Sequence, residues 1–185
     1  MQMSGTIYYL KLVINNNFRG IIRIINEKMT EFLHNVEKND YQILYITGKA
    51  HYDDFIFNQK FPDNVKIIPY LDNLPGLLKN TDLIVTRAGA STMSEIISLN
   101  LPAIFIPSPY VANNHQYYNA LDLQNKGVSI MIEEKDLDAD KLYKKVNELL
   151  KDNNKEYKDM KDNLSKLDMK NSSTLIYKEI KELIK

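Results

Sequence analysis

Two hydrophobic spacings alternate along this chain. Short runs rich in β-branched and aromatic residues recur as TIYYLKLVI (6–14), YQILYITG (41–48), NVKIIPY (64–70), DLIVTR (82–87), PAIFIPS (102–108) and VSIMIEE (128–134). Their length and composition predict six strands. The intervening segments carry helical spacing. IIRIINEKMTEFLHNV (21–36) places Ile21, Ile25, Met29, Phe32 and Val36 on one stripe. Shorter helices are predicted over 53–60, 74–80 and 91–100. A longer one covers 114–127 and stops at Gly127. From Asp138 onward three helical segments follow, broken near residues 153–154 and 171–172.

Strand and helix in strict alternation predict an α/β fold. The expected sheet is doubly wound, mostly parallel, six-stranded and Rossmann-like, with helices on both faces. The charged, weakly amphipathic segments from Lys155 read as covering helices. At 185 residues a single domain over 1–185 is expected. In such sheets ligands bind beyond the carboxyl ends of the strands, near the point where strand order reverses. The loops to inspect therefore follow Ile14, Gly48, Tyr70, Val85 and Ile106.

Composition narrows the partners. Lys and Arg number 24, as do Asp and Glu, so the formal net charge is zero. That balance gives no electrostatic reason to expect nucleic acid or an anionic membrane as a main partner. Cysteine is absent, which excludes disulfides, zinc-thiolate sites and thiol nucleophiles and suits a reducing cytoplasm. No apolar stretch approaches a membrane span, and the first residues lack the order of a signal peptide. Walker A, GxGxxG after the first strand, HExxH and GxSxG are all missing. His34, His51 and His115 are far apart in sequence, so no metal site is expected.

Three loops carry candidate chemistry. VTRAGASTMSEI (85–96) runs from strand through Gly89 and small neighbours into a helix. Backbone N–H groups and the helix dipole there converge on an anion. The same stretch also fits a plain capping box, Thr92-x-x-Glu95. PSPYVANNHQYYNA (107–120) opens on the same sheet edge. It crowds Asn113, Asn114, His115, Gln116 and Asn119 around a helix start, a supply of donors and acceptors suited to sugar hydroxyls. IIPYLDNL (67–74) offers an aromatic and exposed backbone for a planar base. It reads equally as a turn capped by Asp72.

Taken together, DLIVTRAGASTMSEI, LPAIFIPSPYVANNHQYYNA and IIPYLDNL resemble the C-terminal half of the MurG family. These are bacterial GT-B enzymes of glycosyltransferase family 28 that move N-acetylglucosamine from UDP-GlcNAc onto an undecaprenyl-linked muramyl-pentapeptide. The resemblance runs from about residue 43 to 127 and more weakly to the end. It implies one half of a GT-B fold that binds the UDP-sugar donor. By position, Leu71 would read the uracil edge through its backbone, and Glu95 would hold the ribose hydroxyls. Ala90, Ser91 and Thr92 would face the diphosphate. His115 and Gln116 would approach the diphosphate and the sugar, with Asn119 close by. Arg87 would act as an anion contact or as a loop anchor. The resemblance implies UDP-GlcNAc as substrate, no metal or other cofactor, and a general base in an acceptor-binding N-terminal half. Membrane contact, at the cytoplasmic face of the inner membrane, would run through that other half. One departure stands out. Residues 1–40 diverge, and where the family has a GGSxGA loop this chain reads VINNNFRGIIRIIN (13–26), with only Gly20. A backbone approach of that kind needs glycine. Two alternatives fit the same residues: a non-catalytic nucleotide-sugar-binding subunit, or the donor subunit of a two-chain GT-B transferase.

Overall fold

The computed structural model describes residues 10–15, 23–36, 41–151, 154–167 and 172–184. Six strands and eight helices follow one another in it: β1 (Leu10–Asn15), α1 (Arg23–Asn35), β2 (Tyr41–Ile46), α2 (Tyr52–Ile56), β3 (Val65–Ile68), α3 (Leu74–Leu78), β4 (Leu83–Thr86), α4 (Ala90–Ser98), β5 (Ala103–Phe105), α5 (His115–Asn125), β6 (Ser129–Met131), α6 (Ala139–Leu150), α7 (Lys155–Lys166) and α8 (Ser172–Leu183). The strands form one sheet in the order β3-β2-β1-β4-β5-β6. All five pairings are parallel, where a mostly parallel sheet was expected. Strand order reverses between β1 and β4. The crevice above that pair is where a doubly wound sheet takes a ligand.

Period-two alternation divides the core between the two faces of the sheet. Ile43, Tyr45, Leu83, Val85 and Ile104 join α1 and α6 in one cluster, built on Met29, Phe32, Leu33, Leu142 and Val146. Ile46, Ile84, Ala103 and Phe105 point the other way and pack with Leu78 of α3, Ile96 of α4, and Ala120 and Leu123 of α5. β4 is buried along its whole length, the run of apolar residues that a central parallel strand requires. α7 bridges the faces, with Met160 in the first cluster and Leu164 in the second.

α7 also closes the amino end of the sheet. The Tyr157 hydroxyl donates to the Asp82 carbonyl at 3.0 Å, and Asn163 Nδ2 donates to the Gly127 carbonyl at 3.2 Å. Burial pushes the Tyr157 phenol up to about 12, with the Asp82 charge adding to the shift. Gly127 stops α5 as expected. At φ 65° its N–H bonds the Gln124 carbonyl and that of Val128 bonds the Leu123 carbonyl, the paired bonds of a Schellman ending.

Some boundaries move. The strand expected over 128–134 ends at Met131, because the chain then turns to bury Glu134. α3 is capped by Asn73, not Asp72. The Asn73 side chain accepts from Gly76 N at 3.0 Å, in space that a Cβ on Gly76 would fill. The loop at 16–22, where the glycine-poor departure falls, and residues 6–9 of the first expected strand lie outside the described residues. Among those described, no helix is long and apolar enough to cross a membrane.

Candidate functional site

The reversal of strand order makes the β4–α4 loop the first place to look. Gly89 is the N-cap of α4 in extended conformation, φ −73° and ψ 145°, and no side chain caps the helix. The first helical bond runs from Met93 N to the Gly89 carbonyl. The capping box does not form: Thr92 lies inside the helix, and Glu95 sits one turn further on. The amides that open α4 are thus left for another partner. Exposed Ala90 and Ser91 and half-buried Thr92 stand at that end. Glu95 is half-buried, and its carboxylate takes no hydrogen bond among the described residues.

The β5–α5 loop ends in a second open helix start. Asn113 and Asn114 both adopt left-handed backbone, with φ of 54° and 50°. Asparagine tolerates that region better than most residues. Asn114 is the N-cap of α5, again with no side-chain bond. His115 is exposed, and its Nδ1 lies 2.9 Å from the Ala112 carbonyl. A carbonyl only accepts, so Nδ1 carries the proton and Nε2 remains open to a ligand.

Side chains tie the two loops together. Asn119 Nδ2 donates to the Ala88 carbonyl at 3.1 Å, and Gln116 Oε1 accepts from Ser108 N at 3.0 Å. Gln116 is buried at 1% exposure. Through Oε1 it braces the loop from below. The helical stripe of Gln116, Ala120 and Leu123, all buried, is the signal that marks it.

Arg87 has the geometry of the second of its two expected roles, the loop anchor. It is 5% exposed; its Nη1 donates to the Ile106 carbonyl at 3.0 Å and stands 2.7 Å from Glu134 Oε2. A guanidinium committed in this way anchors the loop and does not face the crevice. Glu134 was not foreseen, and no periodicity or spacing in the sequence marks it.

The third loop follows β3. Leu71 is half-buried and packs against the second core cluster. Neither its amide nor its carbonyl bonds another described residue. β3 lies three strand positions from β4, about 14 Å at roughly 4.8 Å per step. The site is therefore elongated along the carboxyl edge. It has free backbone at one end, two open helix starts at the other, and Glu95 on the helix that begins the second.

Known proteins resemble this chain in sequence and in fold. The family described as Glycosyltransferase family 28 C-terminal domain matches residues 18–179. A Thermoanaerobacter sp. protein named UDP-N-acetylglucosamine-N-acetylmuramyl-(pentapeptide) pyrophosphoryl-undecaprenol N-acetylglucosamine transferase is 44% identical over 164 residues, 86% of this chain and 44% of its own length. A Bacillus cytotoxicus protein of the same name is 39% identical over 88% of this chain and 45% of its own length. The chain thus spans less than half the length of these curated relatives. Among solved structures, Acinetobacter baumannii MurG superposes with a TM-score of 0.79 at 20% identity, over 94% of this chain and 52% of that one. Phytolacca americana UGT2, complexed with UDP-2fluoro-glucose and pterostilbene, superposes with a TM-score of 0.63 at 21% identity, over 85% of this chain and 35% of that one.

Proposed function

Because the chain belongs to the glycosyltransferase family 28 C-terminal domain family, we propose that it is the donor-binding half of a transferase that moves N-acetylglucosamine from UDP-GlcNAc onto a lipid-linked muramyl-pentapeptide. The observation that carries this reading is the pair of uncapped helix starts, α4 and α5, joined through Asn119 and Ala88 beside the reversal of strand order.

In this reading the backbone of Leu71 holds the uracil edge and Glu95 bridges the ribose hydroxyls. The amides of Ala90, Ser91 and Thr92 and the last two hydroxyls face the diphosphate. Asn114, His115 Nε2 and the outer side of α5 meet the sugar. Arg87, Gln116 and Asn119 hold the loops in place. As the glycosidic bond breaks, negative charge builds on the departing UDP. Helix N-terminal amides fixed in advance stabilise that charge more than they stabilise the intact donor, and they do so without a metal. The acceptor and the general base that activates it are assigned to the other half of a longer protein or to a partner chain. That half would work at the cytoplasmic face of the membrane, where a lipid-linked acceptor is presented.

Isothermal titration with UDP and UDP-GlcNAc tests the donor site. Binding of both is expected, with the sugar adding affinity. No heat and no competition at millimolar ligand would remove the proposal.

A further inference from the structure

We propose that Glu134, acting through Arg87, is a positioning residue for the anion-binding end of the site; the inference rests on the donor-site reading above. Arg87 is the residue that follows β4, directly before the Ala88–Gly89 turn from which α4 opens. Its Nη1 takes the Ile106 carbonyl, the last backbone acceptor before the Pro107–Ser108 turn into the second loop. Glu134, from the turn after β6, meets the same Nη1 at 2.7 Å. One guanidinium therefore joins the carboxyl ends of three neighbouring strands. Glu134 also lines a small cavity of about 100 Å³ with Pro107, Pro109, Asn114, Tyr117, Glu133 and Lys135, directly beneath the α5 start.

The chemistry of the pair argues for geometry over stability. Both side chains are nearly fully buried, at 6% and 5% exposure. Yet Arg87 Nε has no hydrogen-bond partner, and neither Glu134 oxygen has one of hydrogen-bond geometry. The attraction is therefore between charges and is poorly supported by hydrogen bonds. Removing two ions from water for so few bonds is costly, and apolar residues of the same volume commonly stabilise a fold as well or better. What apolar residues lack is direction. The ion pair fixes where Arg87 points, and thereby the Ala88–Gly89 backbone, which Asn119 holds from the other side. Without Glu134 the guanidinium loses its countercharge. It then turns toward the crevice or pulls the turn with it, and the α4 amides lose their aim.

The test uses the full chain and two variants, Glu134→Gln and the double replacement Arg87→Met with Glu134→Leu. UDP is titrated calorimetrically, uridine binding is followed by saturation-transfer NMR, and Tm is recorded. Both variants are expected to weaken UDP by about tenfold, the loss of one well-aimed hydrogen bond to a charged group. Uridine, which lacks the diphosphate, should bind within about twofold of the parent, and the double variant should keep its Tm. A parent chain that binds no UDP overturns the donor-site reading and this inference with it. A parent that binds UDP alongside variants that bind it equally well overturns this inference alone. Equal loss of UDP and uridine also overturns it, because the pair would then serve the fold as a whole. Should Glu134→Gln not fold, the double variant decides alone.

Discussion

α4 and α5 begin differently from α6 and α7. The latter start with side-chain caps: Asp138 accepts from Lys141 N, and Asn154 accepts from Tyr157 N, both at 2.9 Å. α4 and α5 start with Gly89 and Asn114 and no side-chain cap. Position along the sheet does not explain this, since α6 also starts after a carboxyl strand end and is capped. Among the described helix starts, α3, α6 and α7 carry side-chain caps and the five-residue α2 does not, while α4 and α5 are the longer helices left open, tied to each other through Asn119 and Ala88. Uncapped amides are unsatisfied until something accepts from them. In the proposed reading, the difference separates helix ends that serve the fold from helix ends kept for a ligand.

The largest expected effect tests the ligand side. Glu95→Ala should weaken UDP by about 2 kcal/mol, the range for a hydrogen-bonded charged group, and leave Tm within a degree or so. The reason is that Glu95 makes no side-chain bond within the described chain. A variant that melts lower and still binds UDP normally would return Glu95 to a structural role and erase the contrast.

The capped ends should behave in the opposite way. Asp138→Ala and Asn154→Ala should each cost about 1 kcal/mol of stability. The two should nearly add, because the caps accept from different amides; Asn154 Nδ2 also donates to the Glu148 carbonyl of α6 at 2.7 Å, so its loss costs the larger share. UDP affinity should not change. Chemical denaturation with parallel titrations checks both halves of the statement. A loss of UDP affinity at either site would break the division.

The contrast was only partly legible in the sequence. Strand number and the choice of loops followed from short apolar runs of β-rich composition and from where doubly wound sheets hold ligands. VTRAGASTMSEI was ambiguous by residue type, because Thr92 and Glu95 have cap spacing whether or not the helix starts there. Only backbone geometry shows that it starts at Ala90. Asn73 took the place expected for Asp72 because a cap depends on ψ and on an empty Gly76, and spacing records neither. Arg87 and Glu134 follow strands two places apart in the sheet, and no local pattern encodes such a meeting. Gln116 was readable, since its helical phase with Ala120 and Leu123 places it inward.

A smaller effect tests the closed amino end. Tyr157 lies under β4 with its phenol raised to about 12 by burial and by Asp82. The folded form keeps the proton that the unfolded chain releases near pH 10. Its contribution to stability is therefore fully present below pH 10 and is lost as pH rises toward 12. Tyr157→Phe should flatten that part of the stability curve relative to the parent. Equal slopes in the two proteins would show that the hydroxyl of Tyr157 is not held as the structure has it.

The smallest stability change is also the sharpest test of the comparison. Gly89→Ser would convert an open start into a capped one. The Gly89 backbone, at φ −73° and ψ 145°, is a conformation that serine adopts without strain. Serine against glycine at an N-cap is worth only a few tenths of a kcal/mol, so Tm should stay level or rise slightly. The new hydroxyl, however, would accept from the amides assigned to the diphosphate. UDP must then displace an internal hydrogen bond worth about 1 kcal/mol, and its affinity should fall several-fold while uridine is unaffected. Stability and binding would move in opposite directions from one added oxygen, which neither a general loosening of the fold nor a bystander position would produce. If Gly89→Ser binds UDP as the parent does, the α4 amides are not the anion site. The open helix start would then need another explanation.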